Sequence, residues 1–294
     1  MKASWKRSRV GIYFPRIYAD LVFLKLSATK VGAWQDCPRK YYFAYVAKER
    51  HGQSWAHLSY GNAVHGALRS WFDLPVEERT PDRIPKLVDG AWSDAGFEDE
   101  THAAHWRETA VEIVRNYLSG VPTSFEPMST ERNLAFKTDS FIVEGRIDRL
   151  DELAGEVSVV DYKTGKSVPG EDDVRGSAAL AMYALMVQRT LNRPCFDVAL
   201  HHVPSGTQVT WRHTPQSLDR HLERVGRIAA DIALAQDTWE STDQSDEIRD
   251  ELFPVQPGML CGYCDYWDIC PAGQQQTRKR ESWEALAGSA DKDD

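Results

Sequence analysis

The stretch VEGRIDRLDELAGEVSVVDYKTGK, residues 143–166, constrains the fold more than any other part of the chain. Apolar and polar residues alternate on both sides of Ala154-Gly155, the pattern of two half-buried strands. Glycine tolerates the positive φ of a tight hairpin, so the turn falls on Ala154-Gly155. A hairpin centred there sets residue 148 opposite residue 161, and both are aspartates. Side chains alternate faces along a strand, so Asp161 and Lys163 point one way and Tyr162 the other. Val157, Val159 and Val160 lead into Asp161 and draw this end of the hairpin inward. Like charges facing each other across a sheet destabilise it, and burial sharpens the conflict. A divalent cation between the carboxylates resolves it. Oxygen donors from Asp148 and Asp161, with the Tyr162 carbonyl as a further ligand, suit Mg²⁺ or Mn²⁺. With Lys163 alongside, that arrangement suits phosphodiester hydrolysis. A surface hairpin with simple Asp–Lys ion pairs is the plainer alternative, and the facing register of Asp148 and Asp161 weighs against it.

Around this hairpin the chain reads as helices, then strands, then helices. Ser27 caps a helix that carries SATKVGAWQDCPRKYYFAYV. Further helices are expected over 60–72, 82–95 and 100–118. Strands follow at 130–138, 140–150 and 156–163, then a helix over 173–190. Two strands at 196–203 and 207–213 precede a long helix over 216–236. Residues 237–252 are polar, and the sequence beyond 274 reads as a frayed tail. Residues 1–24 form a basic extension, 25–273 a single domain and 274–294 a flexible tail. The order implies an α/β fold with a central sheet.

A net charge of −9 counts against binding nucleic acid by bulk charge, but not against a local channel. Arg39, Lys40, Arg146, Arg149, Lys166 and Arg175 are candidates to line one, although charged runs are usually solvated faces. No apolar run approaches the ~18 residues of a membrane span. The basic start lacks the apolar core of a signal peptide, which points to the cytoplasm.

His65 follows Gly61 by four residues in GNAVH, so the two share a helix face, and the small glycine leaves room there. Imidazole as a third ligand tilts the preference toward Mn²⁺. A lone helix-surface histidine is more often simply solvated, and His102, His105, His201 and His202 have no comparable context. Tyr183, at helical spacing in SAALAMYALMVQ, reads as core from its residues alone. Cys261, Cys264 and Cys270 form C-x₂-C-x₅-C, with Cys37 far upstream in DCPRKYYF. Thiolates split three and one can hold a 4Fe–4S cluster; structural zinc, which favours paired C-x₂-C units, is the rival. Either centre would close a loop of more than two hundred residues. Cys195 reads as core.

The order SATK…CPRKYYF, G-x₃-H, GRIDR, DYKTGK, helical Tyr and C-x₂-C-x₅-C resembles the RecB-like branch of the PD-(D/E)XK nuclease superfamily. Within it the chain is similar to the iron–sulfur members, the AddB nuclease domain and the CRISPR-associated adaptation exonucleases. The likeness runs from Leu26 to Pro271. It implies a restriction-endonuclease-like core, a central mixed sheet flanked by helices, with an iron–sulfur-stapled helical part. It implies His65, Asp148 and Asp161 as metal ligands, Lys163 as the catalytic lysine and Tyr183 as the tyrosine of a Q-x-x-x-Y motif. Cys37, Cys261, Cys264 and Cys270 would hold the cluster. The motif's glutamine falls on Ala179, a departure that bears on how a strand is held. The expectation is a metal-dependent DNA exonuclease acting on single-stranded ends in repair or recombination. The alternatives are a DNA-binding accessory module partnered with a helicase, and a CRISPR adaptation nuclease.

Overall fold

The computed structural model describes residues 23–287. Of the basic extension, residues 1–22 lie outside the described residues, as do 288–294 of the tail. The first strand, β1 (Leu24–Leu26), leads into α1 (Ala28–Asp36), which starts where expected: the Lys30 amide donates to Ser27 Oγ. The single helix read through CPRKYYFAYV is broken. Cys37 is extended (φ −166°, ψ 110°), because a residue before proline is pushed out of the α region. Pro38 then opens α2 (Pro38–Tyr41), which continues as a π-helical turn over Tyr42–Val46.

Three helices follow: α3 (Ala56–Asp73), α4 (Ile84–Ala91) and α5 (Glu100–Ser119). Next come β2 (Ser129–Lys137), β3 (Phe141–Leu153) and β4 (Glu156–Lys163). The helix expected over 173–190 is two, α6 (Glu171–Gly176) and α7 (Ala178–Leu191), split where Ser177 caps the second by accepting from the Leu180 amide. The strands β5 (Asp197–His202) and β6 (Thr207–Arg212) precede α8 (Pro215–Ser241), which extends past its expected end into the polar stretch. The chain continues with α9 (Asp246–Leu252), two 3₁₀ turns through the cysteine segment and α10 (Pro271–Gln276).

The six strands form one mixed sheet. The long β3 is its spine. Its first residues pair parallel with β1, its last pair antiparallel with β4, and β2 runs antiparallel beside both parts. Beyond β4 lie β5, parallel, and β6, antiparallel at the edge. One face, through Val159, Val198 and Leu200, packs on α1, α7 and α8. The other, through Val160, Tyr162 and Ala199, packs on α3, α4 and α5. This is the helix–sheet–helix architecture the sequence implied. Among the described residues no helix is long and apolar enough to cross a membrane.

The reading of a frayed segment from 274 needs correction. Leu286 is buried and Trp283 half-buried against the α3–α5 cluster, and the Ala56 amide donates to the Ser282 carbonyl. The apolar side chains were too sparse to give a period, yet two of them suffice to seat the segment through residue 287.

Candidate active site

The hairpin has the expected register. Ala154 (φ 51°) and Gly155 (φ 88°) make the turn, and Arg149 pairs with Val160. Asp148 and Asp161 lie one step beyond this last pair. The Tyr162 amide donates to Asp148 Oδ2 at 2.9 Å, and His65 Nδ1 lies 3.4 Å from the same oxygen. His65 reaches it from α3, with its ring edge-on to Tyr162 at 5.7 Å. The space read beside Gly61 is filled by Thr164, just past the strand: a Cβ on Gly61 would meet Thr164 Oγ1 at 3.0 Å. Lys163 Nζ lies 2.7 Å from Asp161 Oδ2.

One residue here was missed from the sequence. Thr130 pairs with Arg149 and Arg132 with Ile147, so Glu131 between them faces Asp148 across β2 and β3. Glu131, Asp148 and Asp161 therefore form one row of carboxylates across three strands. Glu131 is in the left-handed region (φ 47°), which interrupts the ladder at that point. Donor atoms of His65, Glu131 and Asp148 all lie within 4.8 Å of one another. A signal existed: a hairpin centred on Asp139-Ser140 places residue 131 opposite 148. Gly145 was also passed over. A Cβ there would meet Tyr183 Cε1 at 2.9 Å, so the glycine makes room for Tyr183 beside the row.

The electrostatics are those of a site short of positive charge. Burial pushes the Asp161 carboxyl up; Lys163 pulls it down and Asp148 pushes it up again, with a net rise. Burial likewise raises Glu131 despite Arg146, whose Nε lies 2.7 Å from Glu131 Oε2. Burial alone would lower the His65 imidazole, but Asp148, Asp161 and Glu131 hold it above its ordinary value. Tyr183 is pushed up to about 12 by burial and then by Asp161 and Asp148. Two carboxylates and an imidazole converging within 4.8 Å, with Asp161 beside them and the group still deficient in cation, fit a divalent metal.

Below the row is a buried polar network. Arg149, 5 % exposed, donates to Tyr117 Oη (3.2 Å), Tyr162 Oη (3.1 Å) and Asp151 Oδ2 (2.9 Å). Tyr117 Oη lies 2.6 Å from His201 Nδ1. This corrects the reading of Arg149 as a strand-binding residue: its charge is consumed in holding the hairpin to α5. Arg39 is corrected for the same reason, being buried and donating to the Phe253 carbonyl and Asp250. Lys166 donates to the Ala287 carbonyl, Lys40 lies 3.8 Å from Asp36, Arg146 sits on Glu131, and Arg175 pairs with Asp172 at 2.7 Å. The six cations do not form one channel.

The four cysteines do converge. Cys37, Cys261, Cys264 and Cys270 line one cavity of about 410 Å³, with Arg39, Lys40 and Gly273. The Gln256 amide donates to Cys37 Sγ at 3.4 Å and the Gly258 amide to Cys261 Sγ at 3.3 Å. A Cβ on Gly273 would meet Cys270 Sγ at 3.6 Å. Cys195 is buried apart, its thiol pushed up to about 12 by burial. Ala179 lies one turn before Tyr183 on α7.

A mixed sheet between helical layers, with acidic residues side by side on adjacent strands and a lysine beside them, defines a nuclease-type α/β fold. The family is explicit in the sequence: residues 25–271 match the model of the PD-(D/E)XK nuclease superfamily, and the chain belongs to it. It is a nuclease by family, and nucleases of this superfamily use divalent metals. The CRISPR-associated exonuclease Cas4 of Francisella tularensis subsp. novicida (strain U112) is 23 % identical over 138 residues. That match spans 47 % of this chain and 61 % of the relative, so the chain covers less than two thirds of it. A crystal structure from Eubacterium rectale, of a protein named as a candidate exonuclease, superposes with a TM-score of 0.44 at 14 % identity. The superposition covers 81 % of this chain and 92 % of the other.

Proposed function

We propose that this chain is a divalent-metal-dependent DNA exonuclease that degrades single-stranded ends, working in the cytoplasm in DNA repair or recombination. The observation that carries the reading is the row Glu131–Asp148–Asp161, with His65 against Asp148 and Lys163 against Asp161. His65, Asp148, Asp161 and the Tyr162 carbonyl hold the metal, Mg²⁺ or Mn²⁺, and Glu131 joins them. A cation held by these residues would supply Lewis-acid polarisation of the phosphate and activation of the attacking water. Lys163, anchored on Asp161, orients the water and donates to a non-bridging phosphate oxygen as charge builds on it. Tyr183 stays protonated at neutral pH and donates a hydrogen bond to the strand beside the scissile phosphate.

Cys37, Cys261, Cys264 and Cys270 hold a 4Fe–4S cluster that staples α2 to the C-terminal segment, within a nuclease domain of residues 25–273. Two sulfurs already accept backbone amide bonds, as ligating thiolates do.

The test is degradation of a labelled single strand with Mg²⁺ and with Mn²⁺. Asp161→Ala and Lys163→Ala are each expected to cut the rate by at least about a thousandfold with the fold intact. Full activity in either variant refutes the site. Ala179 in place of the motif's glutamine favours a second reading, a DNA-binding accessory module of a helicase–nuclease system. Strand binding without release of nucleotides at any metal concentration would select it. The likeness to Cas4 favours a role trimming DNA ahead of CRISPR integration, and dependence of spacer acquisition on this gene would select that.

A further inference from the structure

At the β6 edge of the sheet, Arg175, Trp211, His213, Arg220, His221 and Arg224 line a cavity of about 460 Å³. The lining holds three arginines and no carboxylate, in a chain of net charge −9. Arg220 and Arg224 are one turn apart on α8, exposed, and neither forms an ion pair among the described residues. Arg175 is held in place, its guanidinium 5.7 Å over the Trp211 ring and 2.7 Å from Asp172 Oδ1. His213 is only 3 % exposed; its Nδ1 lies 2.9 Å from Ser217 Oγ, and its Nε2 has no hydrogen-bond partner among the described residues. A buried ring nitrogen left unmet is costly unless a ligand completes it. Ser217 Oγ donates to the Thr214 carbonyl at 2.9 Å and so accepts from His213 Nδ1, and the donors for an oxyanion in this pocket are the arginines. The capped N-terminus of the 27-residue α8 adds its positive end beside them.

The pocket is on the catalytic side of the sheet. Trp211 pairs with Val198 and Val198 with Val159, two residues before Asp161, so Trp211 and Asp161 share a face. Strand rise and spacing put Trp211 roughly 15 Å from Lys163. A neighbouring cavity runs from Lys163 past Lys166 to Gly176, the residue after Arg175.

We propose that this pocket is a second phosphate-binding site, which grips the sugar–phosphate backbone of a nucleic-acid strand away from the bond being cut. The ligand class rests on the nuclease reading above. Guanidinium forks match phosphate oxygens two at a time, and Arg220 and Arg224, without a carboxylate partner among the described residues, are placed to do so in an otherwise acidic protein.

The experiment measures anisotropy of a labelled single-stranded oligodeoxynucleotide in EDTA, where nothing is cut, over a salt series. The proteins are the full chain, the double variant R220A/R224A and, as a charge-loss control on α5, Arg115→Ala. The double variant is expected to bind about tenfold or more weakly, with the log–log salt slope reduced by about 1.4 for two lost phosphate contacts. Arg115→Ala is expected to match the parent. Equal affinity and slope in parent and double variant overturn the proposal. So does inorganic phosphate or a mononucleotide binding through Arg220 and Arg224 while strand affinity is unchanged, which would mark a free-phosphate site. A parent that binds strands through these arginines yet never cleaves them would sink the catalytic reading and leave this one standing.

Discussion

Two polar clusters invite comparison, the carboxylate row on the central strands and the cysteine pocket at the molecule's side. The row is made by a ladder. Glu131, Asp148 and Asp161 are neighbours because the turns fix the register of β2, β3 and β4, and the apolar core on both faces keeps it. The pocket is made by closure. Cys37 faces Cys261, Cys264 and Cys270 because Pro38 breaks the helix at Cys37 and 3₁₀ turns curl the far segment back. A site on a packed sheet survives the loss of any one polar group. A site made of turns depends on whatever bridges its two ends.

That contrast sets the largest expected effect. Cys264→Ser removes one end of a bridge over more than two hundred residues, and should cost at least about 3 kcal/mol of stability. Thermal melts of the variant and parent, each with metal and iron assayed, measure it; an unchanged melting temperature would mean the pocket bridges nothing. Parent protein purified without oxygen should be brown and contain iron, and a colourless protein with stoichiometric zinc would replace the cluster with the rival centre.

The next effect lies beneath the row. Burial, and then Arg149, lower the His201 imidazole to about 3. The folded protein keeps it neutral, whereas the unfolded chain takes a proton below about 6.5. Stability from this residue is therefore complete above pH 6.5 and is lost as pH falls toward 3, by about 2 kcal/mol at pH 5. Denaturant melts between pH 7 and pH 5 should show that slope, and His201→Gln should flatten it while lowering stability at pH 7 through the lost Tyr117 bond. An unchanged slope in the variant would assign the acid sensitivity to the carboxylate row instead.

The smallest effect sharpens the row itself. Glu131→Gln keeps the shape and removes one negative charge, so Mn²⁺ affinity by calorimetry should fall about tenfold. Unaltered affinity would leave Glu131 as a partner of Arg146 only.

Much of the row was readable in advance because a hairpin is local. Gly155 marks the turn, the turn sets the register, and the register brings Asp148 to Asp161. Glu131 was equally local, and it was missed because Asp139-Ser140 is a weaker turn signal than a glycine. The cations were misread for a different reason. Arg149 and Arg39 look solvated in a linear chain, and only the packing of α5 and the segment around Phe253 reveals that they are buried and spoken for. The arginines of α8 were invisible as a group until β6 and α6 were folded beside them.

The sequence alone determined the strand order of the hairpin, the facing carboxylates, the lysine beside them and the set of four cysteines. These depend on period, turn chemistry and residue type, which act over a few positions. The tertiary structure alone decided which charges face solvent, that His65 reaches Asp148 from another layer, and that a second cationic pocket shares the sheet face. Those depend on contacts between segments far apart in the chain, where burial and not residue type sets what a charge can do.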